Sequence, residues 1–294
     1  MAYDLSIIIL NYNTSKLLGE LLHSVRNAKK TNIKLEIIVV DNASIDNSVT
    51  MVGKNFPEVK LITNKNNMGY SQGNNRGVKI ASGKYLLFLN SDTKLSKNCL
   101  ESMINYLETN PQLVAASCKL ILLNGSMDPA CHRGFPTPWA AFSYFSGLER
   151  LFPKSHFFSQ YHQGWKDLNN CHEVDAISGA FFMVRKTIID NLNGFDEQYF
   201  MYGEDLDLCF RIKKAGYHIG FNPKVEVIHY KKQSGRQKIV KDQLPHHHEI
   251  RKKAKQNFYD TMKIFYDKNY RQQYPFWLRQ LVLLGIWLVS RVKE

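Results

Sequence analysis

The chain has 294 residues, of which 44% are hydrophobic and 22% are charged. This composition is typical of globular proteins and excludes a disordered or collagen-like chain. The formal net charge of +13 favours polyanionic partners, such as nucleic acid, anionic lipid or diphosphate substrates, without choosing among them. The length suits one large α/β domain with a modest tail, or two small domains.

The five cysteines are scattered and show no CxxC spacing, which argues against a zinc ribbon or a disulfide framework. This pattern fits a reducing cytoplasm best. The apolar run at 5–10 follows no basic segment and is short, so we expect no signal peptide.

Short β-rich runs alternate with helical ones over the first 109 residues. Strands are predicted at 6–10, 36–40, 59–63 and 85–89, and helices at 15–28, 74–81 and 97–109. Strands separated by helices predict a doubly wound, mostly parallel sheet flanked by helices. Ligands of such sheets bind beyond the carboxyl ends of the strands.

The second half of the chain is less regular. We predict a long loop insertion at 125–172, a strand at 173–185, a helix at 204–215 and a last strand at 224–229. A basic segment at 231–255 holds nine Lys or Arg and only two acids. An apolar stretch at 276–289 follows, which is about half to two-thirds of the roughly 20 residues that a membrane span needs.

Polar residues rich in Asn and Asp follow each of the first four strands. Asp92, after the apolar strand at 85–89, could bind Mg²⁺ or Mn²⁺ chelated by a diphosphate. Asp41, after the second strand, could accept a hydrogen bond from a base or a ribose. In both cases the alternative is a helix cap. The Gly/Asn-rich run at 67–77 allows backbone to approach a ligand, or is a turn before a helix.

Three acids open the predicted helix at 204–215, where they suit the helix dipole. Asp207 can pair with Arg211 at i,i+4, which leaves Glu204 and Asp205 to project from the helix and to accept a proton from a hydroxyl. His229 ends the last strand and is a candidate metal ligand, or a structural histidine. We discount the consecutive histidines at 246–248 as a metal site, because neighbours in sequence cannot readily share one ion.

Seven segments, taken in order, resemble the family 2 glycosyltransferases with the GT-A fold. They are SIIILNYN, EIIVVDNAS, NKNNMGYSQGNNRG, GKYLLFLNSD, EVDAISGAFFMVRK, GFDEQYFMYGEDLDLCFRIKKAGY and VIHY. More narrowly, they resemble the rhamnosyltransferase-like branch of cell-surface polysaccharide assembly. The resemblance implies a catalytic domain over 1–235, with a nucleotide-binding half at 1–125 and an acceptor-side half at 126–235. A basic and amphipathic helical extension over 236–294 completes the chain.

The resemblance also implies roles for individual residues. The nucleotide would be bound by Asn11, Asn13, Asp41, Asn42, Asn67, Gly69, Gly73, Asn74, Asn90 and Ser91. Asp92 and His229 would hold Mg²⁺ or Mn²⁺, Asp205 would be the general base with Glu204 beside it, and Asp175, Ser178 and Gly179 would lie near the acceptor. Asn90 stands where the family's DxD-type motif has its first Asp, so the metal site holds one carboxylate fewer. This form is usual in the rhamnosyltransferase-like branch.

The implied reaction is an inverting, metal-dependent transfer of a sugar from a nucleotide diphosphate. The best match is L-rhamnose from dTDP-rhamnose, moved to a hydroxyl of a polyprenyl-diphosphate-linked or other cell-surface glycan. UDP-hexose or UDP-N-acetylhexosamine donors are alternatives, as is a non-catalytic protein that binds nucleotide sugars. A nucleotidyltransferase would need a Gly-rich loop directly after the first strand, and NYNTSK is not one.

No nucleic-acid-binding motif is visible, so we expect no nucleic acid partner. The tail mixes aromatic and aliphatic anchors with basic residues: Phe276, Trp277, Leu278, Leu281, Leu284, Trp287, Arg271, Arg279, Arg291 and Lys293. This mixture predicts peripheral contact with the inner face of the plasma membrane. The alternative is a helix packed on the catalytic domain. A homo-oligomer is left open.

Overall fold

The computed structural model describes residues 3–28, 33–231 and 247–292. Its strands are β1 Tyr3–Asn11, β2 Leu35–Asp41, β3 Lys60–Thr63, β4 Gly83–Asn90, β5 Thr93–Leu95, β6 Leu113–Ile121, β7 His172–Val174, β8 Phe181–Arg185 and β9 His218–His229. Its helices are α1 Ser15–Ala28, α2 Ser48–Asn55, α3 Gly69–Ile80, α4 Cys99–Thr109, α5 Pro138–Phe145, α6 Leu148–Leu151, α7 Lys186–Asn191, α8 Glu204–Lys214, α9 His247–Asn269 and α10 Phe276–Val292. A 3-10 turn spans Pro129–Cys131.

One sheet contains all nine strands, in the order β3-β2-β1-β4-β8-β6-β9-β5, with β7 paired to β9. The first four strands in this order are parallel, and β8 runs antiparallel between β4 and β6. The strands β1, β2 and β4 are buried over most of their length, so they are continuous apolar runs rather than alternating ones. The predicted α/β sheet flanked by helices is confirmed. The strands predicted in the first half of the chain form its parallel part.

Three predicted elements differ from the structure. The strand predicted at 173–185 is wrong as one strand, since β7 pairs with β9 whereas β8 lies between β4 and β6. The last strand begins at His218 and not at position 224, and the register of its partner β6 shifts between Cys118 and Lys119, opposite the stretch that contains Pro223. The segment 125–172 is not a plain loop, because Thr137 caps α5 and Pro138 starts it.

The C-terminal helices pack on the sheet domain through an aromatic cluster. Tyr199, Phe265, Tyr266 and Tyr270 are buried together, and Val282 of α10 packs against them. Six large apolar side chains of α10 are exposed: Phe276, Trp277, Leu281, Leu284, Trp287 and Leu288. Within the described ranges, each helix is too short or too polar to cross a bilayer. Most of the basic segment, residues 232–246, lies outside the described residues, as does His246 of the histidine triplet.

Candidate active site

The carboxyl ends of β1 and β2 are joined by buried polar side chains. The Asn11 amide donates to Asp41 Oδ2 at 2.8 Å, and the Ser44 backbone N–H donates to Asp41 Oδ1 at 2.8 Å. Ser44 Oγ accepts from the backbone of Asn13, which has a φ of 54°. The cap position of α2 is Asn47, so Asp41 holds the strand-end turn and does not cap the helix. Each Asp41 oxygen keeps a further lone pair for a ligand.

An asparagine network fixes the next two loops. The Asn42 amide donates to Asn67 Oδ1 at 3.1 Å and to the Gly69 carbonyl at 3.0 Å. Asn64 donates to Asn42 Oδ1 at 2.7 Å. Gly69 has a φ of +78°, and a Cβ there would lie 2.3 Å from the Phe200 carbonyl oxygen, so glycine is required at the start of α3.

Gly73 and Asn74 face the sheet in the structure. A Cβ on Gly73 would lie 2.3 Å from Leu10 Cδ1, so this glycine permits close packing of α3 on β1. Asn74 is buried and donates to the Tyr70 carbonyl at 3.0 Å. The Tyr70 hydroxyl in turn donates to the Gly179 carbonyl at 2.8 Å, which ties α3 to the turn between β7 and β8.

Thr14 connects the end of β1 with the end of β4. Its hydroxyl donates to Asn11 Oδ1 at 2.6 Å and lies 2.8 Å from Ser91 Oγ, from which it can accept. All three side chains are buried. The residues after β1, β2 and β4 therefore form one connected polar edge.

The two predicted metal ligands are neighbours. Asp92 Oδ1 lies 3.5 Å from His229 Nε2, because Thr93 pairs with His229 across β5 and β9. His229 Nδ1 lies 2.9 Å from Asp128 Oδ2, and Lys231 Nζ lies 2.6 Å from Asp128 Oδ1. Among residues 3–28, 33–231 and 247–292, no three His, Cys, Asp or Glu side chains cluster as a complete metal site.

The donor set nevertheless fits a metal ion that also binds a diphosphate. Asp128 orients the His229 ring and directs Nε2 towards Asp92, an arrangement in which a carboxylate supports a metal-binding imidazole. Burial alone would lower the pKa of His229, but its bonds to Asp128 and Asp92 raise it to about 9. Without an ion, a proton on His229 neutralises part of the charge of the two carboxylates.

Asp205 is the second residue of α8, and the residue before this helix, Gly203, has a φ of +80°. Its Oδ2 accepts from Arg133 Nη2 at 2.8 Å and from the Gly179 backbone N–H at 3.2 Å. Its Oδ1 accepts from the backbone of Leu206 at 2.7 Å. Both side chains of the Arg133–Asp205 ion pair are largely buried. The carboxylate is therefore held in one orientation by a cation that the sequence did not indicate.

The expectation that Glu204 projects from the helix is wrong, because its side chain is buried. Within the described part of the chain, its Oε2 has no hydrogen-bond partner. Burial, and then the charge of Asp205, raises the pKa of Glu204 to about 8. Glu204 is therefore neutral near pH 7, and it accompanies Asp205 without adding a second negative charge. The predicted pair of Asp207 with Arg211 is confirmed at 2.7 Å.

We predict a pH-dependent effect of Glu204→Gln. The pKa of Glu204 rises from its usual 4.5 to about 8 on folding, so unfolding releases a proton between these values. The free energy of unfolding of the natural protein should then fall, relative to the variant, by up to about 1.4 kcal/mol per pH unit. Urea denaturation of both proteins at pH 5, 6, 7 and 8 measures this difference. A difference that stays constant across the series would refute the raised pKa.

The turn between β7 and β8 contacts both the strand end that carries Asp92 and the helix start that carries Asp205. The Asn90 backbone N–H donates to the Ala180 carbonyl at 3.2 Å, and the N–H of Gly179 donates to Asp205. Asn90 lies two residues before Asp92. Residues 179–180 therefore bridge the strand end that carries Asp92 and the helix start that carries Asp205.

The predicted acceptor-side residues lie in two different surroundings. Ser178 lies in the bridging turn, where its hydroxyl accepts from the Ala180 N–H at 3.2 Å. Asp175 instead accepts from Gln163 of the insertion at 2.6 Å, and burial raises the pKa of Asp175. Sequence reasoning missed Asp128 and Arg133, which lie in the aromatic segment 125–172. The only sequence signal for these two residues was that an acidic and a basic side chain occur in a segment without periodicity.

Comparison with known proteins shows which family the chain resembles. A family model described as glycosyl transferase family 2 matches residues 6–189, and one described as the N-terminal domain of galactosyltransferase matches residues 160–234. An N-acetylglucosaminyl-diphospho-decaprenol L-rhamnosyltransferase of Mycobacterium tuberculosis is 25% identical over 78% of this chain and 77% of its own length. Rhamnosyltransferase WbbL of Escherichia coli is 30% identical over 55% of this chain and 61% of its own.

A solved structure supports the fold. The crystal structure of GalNAc-T7 with UDP, GalNAc and Mn²⁺ matches with a TM-score of 0.59 and 16% identity. The match covers 78% of this chain and 44% of that one.

The mixed α/β sheet and the similarity to the structure of GalNAc-T7 show the GT-A fold. Since the first family model covers more than half of the residues, the chain belongs to glycosyl transferase family 2, in its rhamnosyltransferase-like branch. The predicted family and fold are thus confirmed, and the protein is a glycosyltransferase of glycan biosynthesis.

Proposed function

We propose that the chain is an inverting, metal-dependent transferase that moves L-rhamnose from dTDP-rhamnose to a hydroxyl of a polyprenyl-diphosphate-linked or other cell-surface glycan. The observation that carries this proposal is that residues 179–180 bridge Asn90, two residues before Asp92, and Asp205. The name of the mycobacterial relative supports the sugar and the lipid-linked acceptor.

We assign some of the site residues to binding of the donor and others to activation of the acceptor. Asp41 binds the base or ribose with its remaining lone pairs. Asp92 and His229 would hold a divalent ion, which supplies charge neutralisation for the departing diphosphate when bound. Asp205 takes the proton of the acceptor hydroxyl as that oxygen attacks the anomeric carbon from the side opposite the diphosphate. A single displacement of this kind inverts the anomeric centre.

Arg133 and the Gly179 N–H position the base. They hold one oxygen of Asp205 through two hydrogen bonds, so the carboxylate needs no reorientation when the acceptor arrives. Such preorganised groups account for much of enzymatic catalysis.

A UDP-hexose or UDP-N-acetylhexosamine donor is the second candidate, because the fold neighbour GalNAc-T7 was solved with UDP, GalNAc and Mn²⁺. Thermal shifts with dTDP-rhamnose, UDP-glucose and UDP-N-acetylglucosamine, each with and without Mn²⁺, separate the two. We expect the largest stabilisation with dTDP-rhamnose and Mn²⁺. A larger shift with a UDP sugar would reject rhamnose, and no shift with any donor would reject the function.

We also propose the boundaries 1–235 and 236–294 for the catalytic domain and its extension, with the nucleotide half at 1–125. The extension would contact the anionic cytoplasmic face of the plasma membrane through α10. Trp277 is 62% exposed and Leu281 57%, and no partner element covers them among the described residues.

Flotation with anionic liposomes tests this contact. The full-length double variant Trp277→Ser/Leu281→Ser should bind liposomes at least about threefold more weakly, since it removes apolar area from the exposed face. Both side chains are exposed, so the fold should be unaffected. Equal flotation of the two proteins would reject the membrane contact.

A further inference from the structure

Two histidines meet outside the site described above. His132 follows the 3-10 turn at Pro129–Cys131, and His172 begins β7. Their Nε2 atoms lie 2.7 Å apart, and the rings are nearly perpendicular, at 80°. His132 is buried and His172 is half-buried.

The other ring nitrogens decide which hydrogens are present. His132 Nδ1 lies 3.1 Å from the His162 carbonyl oxygen, and His172 Nδ1 lies 2.8 Å from the Asn170 carbonyl oxygen. A carbonyl oxygen can only accept, so each Nδ1 must carry a hydrogen. A neutral imidazole has only one N–H. In the neutral pair, both Nε2 atoms therefore direct lone pairs at each other over 2.7 Å.

Two lone pairs at this distance need a cation between them, either a proton or a metal ion. Burial, then the neighbouring ring, lowers the pKa of His132 to about 4, and burial lowers that of His172. Neutral imidazole with its tautomer fixed by a carbonyl is the form in which histidine binds metals.

We propose that His132 and His172 form a second metal site, which takes a borderline transition-metal cation such as Zn²⁺. With Zn–N bonds of 2.0–2.1 Å in a tetrahedral site, the two nitrogens would be about 3.3 Å apart. The pair has to open by about half an ångström, and the half-buried His172 is the ring that can move. Among the described residues no third His, Cys, Asp or Glu joins the pair, so water on the open side of His172 completes the coordination.

The surroundings allow a small cation. The ring of Phe221 flanks both imidazoles. The distance between ring centroids is 5.0 Å to His132 and 5.4 Å to His172. Lys166 is the nearby charge that opposes a cation, and it is bonded to the Glu173 carbonyl. The metal would close the 40-residue loop between the two histidines, which contains α5 and α6. The site would fasten the acceptor-side insertion to the sheet edge.

Zinc binding to the full-length protein tests the site. The histidines at 246–248 are first changed to Gln in every sample, and Asp92→Asn removes the site proposed for Mg²⁺ or Mn²⁺. Equilibrium dialysis against Zn²⁺ at pH 7.5 then compares this background with His172→Gln, with His132→Gln, and with the control His156→Gln. His156 is an exposed histidine of the same insertion, stacked on Trp165.

We expect one Zn²⁺ less per chain in His172→Gln and in His132→Gln, and no change in the control. Zn²⁺ should also raise the melting temperature of the background but not that of His172→Gln. Should His132→Gln fail to fold, the half-buried position 172 still decides the question. Unchanged zinc stoichiometry in His172→Gln overturns the proposal, and would leave a shared proton as the cation.

Discussion

Asp205→Asn is expected to lower the kcat of sugar transfer by at least about 100-fold, because a positioned general base contributes roughly 10²–10⁴-fold. The asparagine side chain has a single acceptor oxygen, which can keep either the hydrogen bond from Leu206 or the hydrogen bonds from Gly179 and Arg133. It cannot take a proton from the acceptor. Initial rates with saturating donor and acceptor measure the loss.

The variant should fold but be less stable, since Arg133 loses the carboxylate that it contacts at 2.8 Å. Loss of a charged hydrogen bond of this kind costs about 1–3 kcal/mol. Asp207→Asn is the matched control, because it makes the same change in the same helix and weakens the pairs with Arg211 and Lys268. It should lose at least as much stability and retain kcat. Near-natural kcat in Asp205→Asn would remove Asp205 from the role of base.

Asp92→Asn should have the second large effect, with a loss of about 100-fold in kcat/KM and loss of activation by Mn²⁺, since charge stabilisation by a bound metal ion is worth several kcal/mol. The reason is that Asp92 is the only carboxylate that our proposal gives to the ion, since Asn90 replaces the other acid of the motif. Asp128 still holds His229 at 2.9 Å in the variant, so the strand pairing should persist. Activity titrated with Mn²⁺ in chelator-treated protein measures both quantities.

Glu226→Gln is the control for this variant. Glu226 lies three residues before His229 on β9, and its exposed pair with Lys119 at 3.2 Å is worth at most about 1 kcal/mol. It should respond to Mn²⁺ as the natural protein does. If Asp92→Asn shows the same Mn²⁺ response as this control, Asp92 does not hold the ion.

The sequence predicted the parallel half of the sheet well because its strands are continuous apolar runs. Burial on both faces requires such runs, and the polar residues that follow them mark the carboxyl edge. Asn11, Asp41 and Ser91 could therefore be assigned to one edge before their contacts were known. The strand β6 escaped prediction because its residues, LVAASCKLI, include Ala, Ser and Lys, which have little preference for strands.

The groups that position the predicted site residues could not be found from the sequence. Arg133 lies 72 residues from Asp205, and Asp128 lies 101 residues from His229. These separations have no period, and only the folded insertion brings the partners together. Burial of Glu204 was equally hidden, because the first turn of an isolated helix is exposed and this side chain is buried only in the folded protein.

A crystal structure of Asp205→Asn with dTDP-rhamnose and Mn²⁺ tests the central claim most directly. We predict that Mn²⁺ binds between Asp92, His229 and the diphosphate, with the anomeric carbon turned towards position 205. A donor bound elsewhere, or one whose anomeric carbon is shielded from position 205 by protein, would contradict the account.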